Sequence, residues 1–341
     1  NQQQQIILKY DQDADSFVHK KKSYKSIKEF ASSHKDLGAV YSSLNARSAA
    51  DFSGTEVIPK TKKAPIYKYK DGKWQESNTV ADGKSTVGNT LKCVSYNVWF
   101  DRYYAEERYN AIFDITKSES PDVICYQEVT KYFAELICKQ EWVRQDYWVS
   151  TKSNGTDLGS YGVMMLFKHQ PINFTRTYMP TRQQRSLLVA TFGGEKTLSV
   201  GTIHMESVKP NTEMRRLQLQ LCQKTLRSIG GDVLLMGDFN FCCTKSWPEN
   251  TFIEKDFIDN WVTLYPHDTG YTEDTDINAM RFQFKRKKKK VRFDRVLIKS
   301  ETWIPKTMTI LGKEPLNCGI GRDAVWPSDH FGIASMFTKK E

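Results

Sequence analysis

From residue 91 onward the chain alternates between short apolar runs and polar breaks. LKCVSYNVWF (91–100), PDVICYQEV (121–129), GVMMLFK (162–168), SLLVATF (186–192), TLSVGTIHME (197–206), LLMGDFNF (234–241), VRFDRVLI (291–298) and HFGIASMF (330–337) have the length and composition of strands. Several are apolar at consecutive rather than alternate positions, which suits strands covered on both faces. Two segments repeat apolar residues at helical spacing instead. EERYNAIFDI (106–115), with the residue that follows it, aligns Tyr109, Ile112, Phe113 and Thr116 on one face. NTEMRRLQLQLCQKTLRSI (211–229) does the same with Met214, Leu217 and Leu221. The pattern predicts an α/β fold with a two-sheet core and helices outside it.

Residues 1–90 differ. They open with NQQQQ, are rich in Lys, Ser and Asp, and hold few apolar runs. Residues 24–45 read as one or two helices, and IYKYKDGKW (66–74) reads as a hairpin turning at Asp71-Gly72. The expected organisation is therefore an accessory or partly disordered region over 1–90, suited to recruiting a protein partner, and a domain over 91–341 that carries the chemistry.

That chemistry sits in the polar breaks. Asn97, Glu128, His204, Asp238 with Asn240, Asp294, and Asp329 with His330 each lie at or beside the end of an apolar run. Singly, each is an ordinary turn former or a satisfied core residue. Together, with no thiol among them, they supply hard oxygen ligands and two imidazoles. Such a set suits Mg²⁺, with Mn²⁺ as a substitute, better than Zn²⁺.

Composition narrows the picture. The 341 residues suffice for one large domain and something smaller. No stretch reaches the roughly 18–20 apolar residues of a membrane helix, so no membrane association is expected. Seven cysteines, an odd number without a C-x-x-C pair, read as buried free thiols in a reducing compartment. Much of the net charge of +10 is concentrated in RFQFKRKKKKVRFDR (281–295), where nine basic residues face only Asp294. Such a run attracts phosphate polymers, forms a solvated loop, or directs nuclear import, and the sequence leaves all three open.

The segments S-Y-N-V (95–98), Y-Q-E-V (126–129), H-M-E-S (204–207), G-D-F-N (237–240), R-F-D-R (292–295) and S-D-H-F-G (328–332) occur in the order used by the endonuclease/exonuclease/phosphatase superfamily, which shares the DNase I fold. Within it the chain most resembles the 5′-tyrosyl-DNA phosphodiesterases (type 2), through R-S-L-L (185–188) and the stretches around H-M-E-S and 292–332. The resemblance implies a four-layer α-β-β-α sandwich and a Mg²⁺-dependent phosphodiesterase acting on DNA with 5′-tyrosyl adducts left by topoisomerase. It implies metal binding by Glu128, Asn97 and Asp329. It makes Asp238 the general base, with Asn240, His330, His204, Asp294 and Asn97 completing the catalytic set. It gives Tyr161, Arg185, Ser207 and Arg215 as substrate contacts. A monomer in the nucleus, with the cytoplasm as a second compartment, is expected. The alternatives are another superfamily hydrolase (an abasic-site endonuclease, a deadenylase-like RNase, or an inositol or lipid phosphatase) or a non-catalytic nucleic-acid-binding protein. One departure bears on substrate grip: the family's Tyr-Thr-Trp-Asp-Thr reads Tyr271-Thr-Glu273-Asp-Thr275 here, placing an acid where a base-stacking aromatic is expected.

Overall fold

The computed structural model describes residues 60–77, 86–316 and 324–340, together with three short strands at Lys9–Asp11, Ser16–His19 and Lys22–Tyr24. The helices expected within 24–45 lie outside the described residues.

Two large sheets form the centre. One has eight strands in the spatial order Trp303–Leu311, Gly332–Lys339, Thr90–Asn97, Val123–Val129, Gly162–Phe167, Trp148–Val149, Ile66–Lys70, Lys73–Ser77. The other has seven, in the order Ile258–Asp259, Asp294–Lys299, Asp232–Asp238, Leu198–His204, Ser186–Phe192, Asn173–Tyr178, Lys60–Lys63. Most neighbours are antiparallel. Each sheet also has one parallel pair, Thr90–Asn97 with Val123–Val129 and Leu198–His204 with Asp232–Asp238.

The uninterrupted apolar runs follow from this layering. Successive side chains of a strand point to opposite faces, so a strand packed on both faces needs apolar residues at every position. Leu234 and Met236 pack between the sheets with Cys93, Cys125 and Met165. Val233 and Leu235 point the other way, to Leu219, Cys222 and Leu226 of the helix Thr212–Ile229. On the first sheet, Val94 and Tyr96 face away from the second sheet and meet Tyr109, Ile112 and Phe113 of the helix Ala105–Glu119. Tyr109, Ile112, Phe113 and Thr116 are all buried, as their spacing predicts. The result is helix on sheet on sheet on helix.

The domain begins earlier than residue 91. Lys60–Lys63 pairs with Asn173–Tyr178, and Ile66–Lys70 pairs with Trp148–Val149, so 60–77 extends both sheets instead of standing apart. The hairpin at Asp71-Gly72 is present, with both residues at positive φ as a tight two-residue turn requires.

Six described cysteines are free thiols, five of them buried, and Cys318 lies outside the described residues. No described helix is long and apolar enough to cross a membrane.

Candidate active site

The ends of both sheets bring the polar breaks together. In the second sheet, His204 pairs in register with Asp238, and Asp238 with Asp294, so three functional side chains share one rim on adjacent strands. Gly237 makes the close pairing possible. Its φ is 138°, and a Cβ there would lie 1.9 Å from the Ile203 carbonyl oxygen, which no side chain tolerates. In the first sheet, Asn97 ends its strand beside Gln127. Glu128 follows at φ 61°, in a bulge where Gln127 and Glu128 together oppose Val163. Bulges re-aim side chains, and this one turns the Glu128 carboxylate toward the rim.

The contacts close the arrangement. Asn97 Nδ2 donates to Asp238 Oδ2 at 3.0 Å across the two sheets, while the Asn240 backbone N–H donates to Asp238 Oδ1 at 2.8 Å. Both Asp238 oxygens are thus held. His330 Nδ1 lies 2.8 Å from Asp294 Oδ2, which leaves Nε2 pointing into the space before Asp238, 3.9 Å from its Oδ2. His204 Nε2 stands between Asp238 Oδ2 at 3.4 Å and Glu128 Oε1 at 3.9 Å. Its Nδ1 accepts from Arg185 Nη1 at 2.9 Å, which assigns the ring proton to Nε2.

Burial and mutual charge set the protonation states. Burial alone would lower the His330 pKa, but Asp294, Glu273 and Asp238 outweigh it and hold the ring charged, well above its ordinary value. Burial, with Arg185 beside it, keeps His204 neutral. Burial pushes Asp238 up to about 6, against the opposing pull of His330. Glu128 rises to about 7, first through burial and then through repulsion by Asp329, whose own carboxyl is also raised by burial.

These last two groups fit a divalent cation. Among the described residues no lysine or arginine forms an ion pair with Glu128, and the repulsion between its carboxylate and that of Asp329 is only partly offset by the charged His330. The trio of Asp238, Asp294 and His330 also has its ligand atoms within 4.8 Å of one another, but both Asp238 oxygens accept from Asn97 and Asn240, the charged His330 ring has no lone pair to give, and only Asp294 Oδ1 is left unpartnered. Glu128 and Asp329 are the better oxygen donors. Because a proton competes for the Glu128 carboxylate below its pKa, divalent-cation affinity should fall about tenfold per unit as pH drops below about 7. Calorimetric titration from about pH 5.5 to about pH 8 measures this; a flat profile contradicts the assignment of Glu128.

The other expected contacts divide. Tyr161 stacks on the exposed Phe100 at 5.0 Å and 17°, and the Arg185 guanidinium lies 5.3 Å from the Tyr161 ring centre. Phe100 donates its backbone N–H to Glu128 Oε2, so this stack adjoins the carboxylate. Ser207 is half-buried and bonded to Gln183. Arg215 is a correction. It is fully buried, paired with the equally buried Glu249 at 2.7 Å, and donates to the Glu206 and Val208 carbonyls and to Thr212. It neither reaches a ligand nor lies on an exposed helix face; it ties the helix Thr212–Ile229 to its surroundings. Asn97 is corrected in part: its Oδ1 accepts the Trp99 N–H and its Nδ2 serves Asp238, so it enters the site through Asp238.

Four further residues take part in the site without a signal in the motifs. Glu273, which stands where a base-stacking aromatic is expected, is turned inward and 1% exposed. Lys289 and Arg281 join it there. Arg108 is fully buried and donates to the carbonyls of Val98, Trp99, Asp101, Tyr103 and Pro327. It thereby locks the loop after Asn97 to the segment that carries Asp329 and His330. Arg108→Met leaves those buried acceptors unmatched and should cost about 3 kcal/mol or more of stability. Urea denaturation tests this, and a loss below about 1 kcal/mol contradicts the role.

A two-sheet sandwich with carboxylates, imidazoles and amides converging at one rim defines a metal-dependent hydrolase of phosphate esters. Residues 94–330 match the model of the endonuclease/exonuclease/phosphatase family. The chain belongs to that family, and its activity is that of a metal-dependent phosphodiesterase or nuclease. Among solved structures, D. rerio TDP2 complexed with a single-strand DNA product superposes with a TM-score of 0.64 at 24% identity, covering 74% of this chain and all of that one. Truncated Caenorhabditis elegans TDP2 gives 0.59 at 21% identity, covering 73% of this chain and 97% of that one. The human Nocturnin catalytic domain with bound sulfate gives 0.54 at 14%, over 74% and 94%. No curated protein matches the chain.

Proposed function

We propose that the protein is a Mg²⁺-dependent phosphodiesterase that hydrolyses the 5′-phosphotyrosyl bond joining DNA to a trapped topoisomerase, leaving a 5′-phosphate. The observation that carries this reading is the buried Asp238 carboxylate. Asn97 and Asn240 hold it by both oxygens, and it faces the nitrogen of a charged His330 that Asp294 does not engage.

Asp238 orients and deprotonates the attacking water. His330, with Nδ1–H given to Asp294, donates from Nε2 to a non-bridging phosphoryl oxygen. Its fixed charge opposes the negative charge that grows as the water adds. His204, neutral and with its proton on Nε2, offers a second donor beside it. Glu128 and Asp329 would hold Mg²⁺, which when bound would supply Lewis-acid polarisation of the phosphate. A phenolic leaving group has a pKa of about 10, so its departure needs little protonation, in keeping with a site whose one charged imidazole is committed to the phosphate. Arg185, Tyr161 and Phe100 form the bordering wall.

The exposed run Lys285, Arg286, Lys287 and Lys288 begins at the last residue of the helix Ala279–Lys285 and provides a phosphate-attracting approach to single-stranded DNA. Neutralising these four should flatten the slope of log binding constant against log salt by about 3. An unchanged slope would return the run to a solvated or nuclear-import role.

The test is a panel of oligonucleotides with Mg²⁺, bearing a 5′-phosphotyrosine, a 3′-phosphotyrosine, an abasic site or a poly(A) tail. Release of tyrosine and a 5′-phosphate from the first alone is expected. Cleavage of only the abasic or poly(A) substrate contradicts the proposal in favour of another activity of the family.

A further inference from the structure

Glu273 reaches the site on a small two-stranded sheet, Glu273–Asp274 against Lys290–Val291, and Lys289 immediately precedes the second of these strands. Glu273 Oε1 accepts from Lys289 Nζ at 2.6 Å, and the same oxygen lies 3.6 Å from His330 Nε2, the ring nitrogen not engaged by Asp294. Glu273 Oε2 accepts from Arg281 Nε at 2.9 Å, and that nitrogen is 3.6 Å from Asp329 Oδ2. Two nitrogens, one from Lys289 and one from His330, therefore converge on one carboxylate oxygen.

Lys289 is held on every other side. Its Nζ lies 4.2 Å from the ring centre of Phe293, the residue before Asp294. Its backbone N–H donates to Thr275 Oγ1, and its carbonyl accepts from the Thr275 backbone N–H. The side chain is nonetheless a quarter exposed. Lys290 behaves differently, pairing with the exposed Asp276 at 2.6 Å.

A fourth carboxylate next to Asp238, Asp294 and Asp329 would repel an anionic substrate unless its charge were spent. Here it is spent on Lys289 and Arg281, and burial notwithstanding, His330, Lys289 and Arg281 pull the Glu273 carboxyl down to about 2. Arg281 Nη1 is buried and finds no hydrogen-bond partner among the described residues. An ammonium already fixed by a carboxylate and a ring loses little freedom when it engages a ligand.

We infer that Lys289 is a further substrate-contacting residue, donating to the non-bridging oxygens of the scissile phosphodiester, and that Glu273 is the positioning residue that holds it beside His330. This rests on the phosphodiesterase reading and divides the basic run. Lys289 serves the reacting phosphate, while the exposed Lys285–Lys288 segment serves longer-range attraction.

The test uses the p-nitrophenyl diester of thymidine 5′-phosphate, which offers a single phosphate and no flanking backbone for the exposed run. Lys289→Met should lower kcat/KM about 10- to 100-fold with the circular dichroism spectrum of the folded protein retained, and Lys289→Arg should recover part of the loss. Glu273→Gln should lower kcat/KM in the wild-type background and much less in the Lys289→Met background. An active wild type matched by its Lys289→Met variant overturns the Lys289 assignment alone. Additive losses in the double variant overturn the positioning role of Glu273. A wild type inert toward every phosphodiester overturns the phosphodiesterase reading itself.

Discussion

Asp238→Asn is expected to lower turnover about 10²-fold or more while leaving the fold and Mg²⁺ binding largely intact. Asparagine keeps the size of the side chain and its oxygen for the Asn97 amide. It loses the second oxygen and the charge, and with them the capacity to take a proton from water. The side chain is 1% exposed and meets the Asn240 N–H on one oxygen and the Asn97 amide on the other, so no solvent base can take its place. Single-turnover kinetics with the 5′-phosphotyrosyl oligonucleotide measures the effect. Turnover within a few-fold of wild type would remove Asp238 from the base role.

Glu128→Gln is expected to cost about 10³-fold in cation-dependent activity, with partial recovery at high Mg²⁺. The glutamine can still accept the Phe100 N–H that the carboxylate receives at 3.1 Å, so the bulge and its φ of 61° are retained. What disappears is the anionic donor facing Asp329. The loss should therefore appear as weakened cation binding in calorimetry, together with the fall in rate. Unchanged cation affinity in this variant would place the metal elsewhere, the Asp238–Asp294–His330 trio being the next candidate.

Much of this architecture is legible in the pattern of apolar positions. The run Val233–Met236 reads as a strand buried on both faces, and it packs as one. Asn173–Tyr178 and Trp303–Leu311 do not read as strands because their polar and apolar residues are mixed. Trp303–Leu311 lies at a sheet edge with one side exposed, and Pro305 sits at a register shift within it. Residues 60–77 read as part of an accessory region because lysine-rich strands at and beside sheet edges need few apolar residues. Strand-end motifs pointed to Glu128, His204, Asp238, Asp294 and His330, since chemistry at the mouth of a buried strand leaves a polar residue inside an apolar run.

Buried charges with distant partners leave no such mark. Arg108 meets Pro327, Arg215 meets Glu249, and Glu273 meets Arg281 and Lys289 only in the folded chain. Sequence alone treats each as a surface residue, because an arginine or glutamate is ordinarily solvated. Trp326 shows the converse. It stands beside the S-D-H segment yet packs with Trp99, Met280 and Phe331 and donates to the Lys313 carbonyl.

The central claim is that a water activated at Asp238 attacks the phosphorus of a phosphotyrosyl diester. Turnover of the 5′-phosphotyrosyl oligonucleotide in ¹⁸O-labelled water, followed by mass spectrometry of both products, tests it most directly. The account predicts label in the DNA 5′-phosphate and none in the released tyrosine. Label in the tyrosine hydroxyl, or no turnover of this substrate by a folded, Mg²⁺-loaded protein, would contradict it.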